Sequence, residues 1–181
     1  MGTNLHTSYL FKAIDAYPYD LAETLESLNY ALSYNENNAE ALYLMGVVYA
    51  EQLHDYETAI SYFEEAIAIK VELPKIYKSY INALICTEEY EKAQKAIDFA
   101  KKLKGSDKAA LLLYQGILYE SQSNFKRAKK TYTAAVLSGL NNDFVRNAEE
   151  ELNRVKKKLK LTNPKKDPKK KQKKEKGKKK K

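Results

Sequence analysis

Few residues of this chain could do chemistry, and most of them read as something plainer. His6 and His54 are the only histidines and Cys86 the only cysteine. Neither histidine sits at a metal-ligand spacing or beside the cysteine, so His54 reads as turn chemistry and Cys86 as a small packing residue near a helix end. The acidic runs Glu64-Glu65, Glu88-Glu89 and Glu149–Glu151 suit solvated helix faces or first-turn partners of a helix dipole rather than acid/base pairs. Six glycines, scattered, make no phosphate-cradling loop. The expectation is a chain without catalysis, cofactor or metal. Two constellations remain. Lys75, Lys78 and Asn82 stand three and four residues apart, which puts two ammonium groups and an amide on one helical face. The second is LTNPKKDPKKKQKKEKGKKKK, residues 161–181.

That last stretch has one apolar residue, Leu161, and cannot bury a core of its own, so it reads as a disordered Lys-rich tail. Lys165, Lys166, Lys169, Lys170, Lys171, Lys173 and Lys174 make it a candidate arm for RNA, ribosome or an anionic surface; the other reading is a solubilising lysine run. No aromatic interrupts it to stack on bases, so any nucleic-acid contact would go to phosphates and ignore sequence. From Lys156 onward there are 16 lysines against Asp167 and Glu175, a net +14. Residues 1–74 carry only Lys12 and Lys70 against 12 acids, a net −10, and residues 75–155 come to +4. The overall pI near 9.2 therefore describes the tail.

The elements that would carry these residues repeat. Tyr56, Tyr90 and Phe125 lie 34 and 35 residues apart, as do Ala59, Ala93 and Ala128, and Ala66, Ala100 and Ala135. Phe63, Ile97 and Tyr132 fill one large apolar column, which Leu28 extends backwards. A helix is expected upstream of each: Ala41–Gln52, Ile76–Thr87 and Ala109–Gln122, with Gly46, Ile81 and Gly116 at its middle. Alanine recurs where helices cross closely. Glycine inside a helix costs roughly 1 kcal/mol relative to Ala, which points to close approach at Gly46 and Gly116. A single helix pair cannot bury its apolar face, so neighbours must stack.

At this point ALYLMGVVYAEQLHDYETAISYFEEAIAI, from Ala41, resembles the tetratricopeptide repeat: Leu42, Met45-Gly46, Tyr49, Tyr56, Ala59, Phe63 and Ala66 follow its pattern, with one extra residue in the Leu53-His54 turn. Leu112, Gln115-Gly116, Tyr119, Phe125, Ala128, Tyr132 and Ala135 follow it again, while the unit opened by Pro74 departs more. The resemblance covers roughly residues 4–160 and implies an all-α helical-hairpin solenoid of about four repeats. Its expected parts are a degenerate helix pair at 1–38, repeats at 39–73, 74–108 and 109–142, a capping helix at 143–160, and the tail at 161–181. In the degenerate pair Leu10, Ala13, Ile14 and Tyr17 form the buried stripe, and in the cap Val145, Ala148, Leu152, Val155 and Leu159 do.

Functionally the resemblance implies a non-catalytic adaptor whose first helices line a concave groove for an extended peptide or partner helix. By register that groove presents Glu40, Tyr43, Val47 and Glu51, then Lys75, Lys78, Asn82 and Ile85, then Ala110, Leu113, Ile117 and Glu120. Tyr43, Val47, Leu113 and Ile117 have two readings, a binding surface or packing against the next helix. Lys78-x-x-x-Asn82 resembles the pair by which chaperone-binding members of the family hold a C-terminal carboxylate, although Tyr114 stands where the following repeat should offer an amide. No run approaches the roughly 18 apolar residues of a spanning helix, no secretory signal is visible, and one unpaired cysteine suits a reducing compartment. The expected location is cytoplasmic and the partner an unidentified protein.

Overall fold

Most of the helices have a physical start. Asp20, Asn38, Asp55, Asp107 and Asn124 stand just before helices and accept hydrogen bonds from backbone N–H groups of the first turn, such as Glu23 N at 2.9 Å and Ala110 N at 3.0 Å. Pro74 opens its own helix without a side-chain cap, where its missing N–H is harmless. In the computed structural model, which describes residues 5–162, the result is nine helices and no strand among the described residues. They are α1 (Leu5–Ala16), α2 (Leu21–Tyr34), α3 (Ala39–Glu51), α4 (Tyr56–Ile69), α5 (Pro74–Cys86), α6 (Tyr90–Ala100), α7 (Lys108–Ser121), α8 (Phe125–Ser138) and α9 (Asn142–Thr162).

The first helices α3, α5 and α7 begin one or two residues before the apolar pattern, because the cap residues and Pro74 lie that far upstream. They stop one residue earlier, since Gln52, Thr87 and Gln122 still bond into the helix but turn the chain out of it. The turns that follow share one device. His54, Glu88 and Ser123 all adopt positive φ, at 55°, 61° and 59°. In the second and third units the next N–H then reaches back to the helix: Glu89 N to Leu84 O and Asn124 N to Tyr119 O, each 2.8 Å. In the first unit Asp55 N reaches Tyr49 O at 2.9 Å, one residue further, which is where the extra turn residue goes.

Consecutive helices pair as hairpins, α1 with α2, α3 with α4, α5 with α6 and α7 with α8, and each hairpin stacks on the next. The repeated columns are the core: Ala59, Ala93, Ala128, Ala66, Ala135, Phe63, Ile97 and Tyr132 are all fully buried. Gly46 and Gly116 sit under aromatic rings; a Cβ at either would come within 2.5 Å of Phe63 Cε1 or of Tyr132 Cδ1 and Cε1. The middle unit fills the same space differently, with Ile81 facing an Ile97 column, both fully buried. In the first pair Ala13 is buried as expected, with Thr24, Leu28 and Ala31 extending the columns, but Ile14 is 48% exposed, since among the described residues no hairpin packs on the outer side of α1. In α9, Ala148, Leu152 and Val155 are buried, and the helix continues through Thr162, past the expected start of the tail at 161. The rest of that tail, including Lys165 to Lys174, lies outside the described residues.

A candidate peptide cleft on the first helices

Helices α3, α5 and α7 stand side by side, and the seven-residue connection after α6 runs along one side of them. Between them is a cleft of about 410 Å³ walled by Tyr43 from α3, Lys75, Lys78 and Ser79 from α5, Leu111 and Tyr114 from α7, and Gly105–Asp107 from the connection. Gly105 adopts a positive φ of 81°, and a Cβ there would meet nothing within 4 Å, so this part of the connection borders open space.

Three of the expected groove residues meet here. Lys75 lays its ammonium 4.9 Å from the centre of the Tyr43 ring and pairs with Glu40, whose other oxygen is 4.0 Å from Lys70. Lys78 lies 3.2 Å from Asp107 Oδ2, while Asp107 Oδ1 caps α7. The Ala110 N–H, helped by Lys78, holds the Asp107 carboxyl below its ordinary range against the opposing effect of burial. Burial raises the Tyr114 hydroxyl, and the nearby Glu51 and Tyr43 add to it. Both lysines are thus already facing carboxylates of this chain. All four partners are between 36% and 46% exposed, and ion pairs of that kind contribute roughly 0–1 kcal/mol, so a ligand carboxylate could exchange with them.

The other expected groove residues go elsewhere. Val47 and Leu113 are buried in the two parts of the core, and Ile117 packs against both, so these three follow the packing alternative. Asn82 is half-buried on α5 and does not wall the cleft. Ile85 and Ala110 are buried. Glu51 is exposed and accepts a 2.5 Å hydrogen bond from Tyr17, whose hydroxyl is pushed up to about 12 by burial and by that carboxylate.

Glu120 departs most from expectation. It is 6% exposed and accepts hydrogen bonds from Tyr132 Oη at 2.8 Å, from Arg154 Nε and Nη2 at 2.9 and 2.8 Å, and an ion pair from Lys158 at 2.8 Å. Burial alone would raise its carboxyl, but these donors together bring it down to about 2. Glu151, expected to face away, turns instead to Arg154. The spacing of Glu120 on α7 gives no sign of this, because its cationic partners come 34 and 38 residues later in the chain. Asp107, by contrast, carries a signal that the reading above passes over, an acid just ahead of the helix expected from Ala109, and Tyr114 is the odd residue in the clamp. Among the described residues no group of three or more His, Cys, Asp or Glu is placed to hold a metal, and no helix is long and apolar enough to cross a membrane.

Nine helices paired through glycine–aromatic and alanine columns define the fold as a tetratricopeptide-type helical repeat. Solved structures agree. One, described as the functional characterization of PilF from Pseudomonas aeruginosa, has a TM-score of 0.71 at 15% identity, covering 88% of this chain and 71% of that one. MamA, residue 41 to the end, from Desulfovibrio magneticus RS-1 has a TM-score of 0.64 at 16% identity over 91% of this chain and 99% of that one. An O-GlcNAc transferase mutant from Thermobaculum terrenum has a TM-score of 0.62 at 17% identity, over 75% of this chain and 27% of that one. These identities speak to fold alone. No protein-family model matches the chain, and no curated protein matches it significantly.

Proposed function

We propose that the chain is a non-catalytic protein-interaction adaptor, acting in the cytoplasm, that takes an extended acidic peptide or the polar end of a partner helix in the cleft of α3, α5 and α7. The observation that supports this is the placing of two ammonium groups, Lys75 and Lys78, between the rings of Tyr43 and Tyr114 at an open cleft. Tyrosine rings supply apolar area and cation contacts, while the lysines select carboxylate as point charges. A peptide array binding the full chain, with free and amidated C-termini and with Glu/Asp spaced along the sequence, would find the preferred ligand. Lys75→Ala/Lys78→Ala should weaken that ligand about tenfold, a little over 1 kcal/mol, with helicity unchanged. Asp107→Asn keeps the cap but removes the competing charge and should tighten it. Equal binding by all three proteins would dispose of the cleft.

The second reading is polyanion binding through Lys165–Lys174 and the lysines around them. In its favour, α8 and the end of α9 bring Lys126, Lys129, Lys130, Lys156 and Lys160 to the surface next to where that segment departs. Replacing Lys165, Lys166, Lys169, Lys170, Lys171, Lys173 and Lys174 by Gln and repeating a filter-binding titration with RNA across a salt series tests it; an unchanged salt slope sinks it.

A further inference from the structure

The two ends of the repeat stack are finished differently. At the C-terminal end α9 turns Arg146, Glu150, Asn153 and Lys157 outward, all exposed and spaced along one face. At the N-terminal end Ser8, Lys12 and Asp15 of α1 are exposed too, but they stand beside exposed aromatic and aliphatic side chains. Tyr9 stacks on Tyr30 with ring centroids 5.0 Å apart and on Tyr34 at 5.9 Å. By helical spacing Tyr30 and Tyr34 lie on the side of α2 away from Leu25, Leu28 and Leu32, and they remain 47% and 55% exposed, with Leu5 also 55% exposed. An aromatic end face of this kind is what a further neighbour would cover.

Charge says what kind of neighbour. Residues 5–74 hold Lys12 and Lys70 against 12 carboxylates, a net −10, whereas residues 75–162 hold 18 basic and 10 acidic side chains, a net +8. Within the basic half, the start of α8 with Lys126, Arg127, Lys129 and Lys130 lies beside the end of α9 with Lys156, Lys157 and Lys160, because Lys158 reaches to 5.7 Å from the Phe125 ring. None of these seven is ion-paired among the described residues. Two tyrosine faces meeting each other would set like charge against like and repel, since the α1–α2 hairpin holds Lys12 against Asp15, Asp20, Glu23 and Glu26. The tyrosine face of one copy against the α8–α9 end of another brings opposite signs together.

We infer that copies of this chain associate head to tail, the lysines of α8 and α9 lying against Tyr30, Tyr34 and the exposed Glu26 of the next copy. The chain already uses this pairing within itself, where Lys75 lies over Tyr43 beside Glu40. Such a contact is heterologous, so each copy keeps one free face and assembly is open-ended. It does not depend on the peptide cleft.

Sedimentation velocity of the nuclease-treated full chain at low salt should show mass rising with concentration, and about 0.5 M salt should weaken the association roughly tenfold through screening. Tyr30→Glu/Tyr34→Glu and Lys126→Glu/Lys130→Glu should each lose the concentration dependence with helical circular dichroism intact. An equimolar mixture of the two variants should form a 1:1 pair that grows no further, since one complementary contact survives. The proposal is overturned by a monomer at every concentration, by a closed dimer, by association that both variants retain, or by association that disappears on nuclease treatment, which would assign the basic end to a polyanion instead.

Discussion

His54, Glu88 and Ser123 hold left-handed backbone, a conformation whose Cβ crowds the following carbonyl for any residue but glycine. The repeat needs that geometry to close each hairpin, so the strain persists in three places. Glycine there relieves about 1–2 kcal/mol of it while adding somewhat less freedom to the unfolded chain. Glu88→Gly and Ser123→Gly should each raise the urea midpoint by a net gain of about 0.5–1 kcal/mol, and a loss at either site would mean that its turn is held some other way. The glycines already present do the opposite job. Gly46→Ala should lose about 1–3 kcal/mol by driving Cβ into Phe63. Gly46→Ile combined with Phe63→Ile copies the Ile81 and Ile97 arrangement of the middle unit and should recover most of that loss in the same denaturation assay. A double variant no better than the single one would show that the two units do not share a packing scheme.

Between elements, Glu120 is the joint that fixes α9 to α7 and α8. Its carboxyl is held at about 2 against an ordinary 4.5. A depressed carboxylate contributes stability that is complete above its unfolded value and drains away as pH falls through 4.5 toward 2. The shift corresponds to about 3 kcal/mol, so thermal stability should fall over that interval by more than in Glu120→Gln, which has no charge to lose. Identical acid profiles for the two proteins would remove Glu120 from the account. Joints of this kind also mark what could be read from the sequence alone. The columns of Ala59, Ala93 and Ala128 were legible because burial repeats with the chain's own period. The cleft was legible in part, through Tyr43, Lys75 and Lys78, because they share faces on adjacent first helices. Val47 and Leu113 were not, since an apolar residue on a first helix looks the same whether it meets a ligand or the next helix. Glu120 was invisible for a related reason: an acid at a groove position is ordinary, and only the three-dimensional return of α9 buries it.

At the scale of the whole molecule, stability passes between neighbours, each hairpin leaning on the one before and the one after. The α1–α2 hairpin has one such neighbour among the described residues and no buried ionic joint, whereas α5 and α7 are packed on both sides. Amide hydrogen exchange at about pH 7 should therefore be fastest in α1 and slowest in α5 and α7, with α9 protected by its contacts to Glu120. If α1 exchanges as slowly as α7 in dilute, high-salt solution, the stack unfolds as a single unit and the nearest-neighbour picture fails.

The Glu120 joint also bears on how the chain is made. Synthesis delivers α7 and α8 before α9, so for a time the Glu120 carboxylate faces water, and the helix that brings Arg154 and Lys158 over it has not emerged. A product ending before Asn142 never receives them, and it also lacks the apolar cover of Ala148, Leu152 and Val155. The α7–α8 hairpin of such a product would thus stay open to proteases, whereas α9 closes it once present. Protection of this hairpin is thus settled late, at the moment α9 docks and its two cations meet the waiting carboxylate.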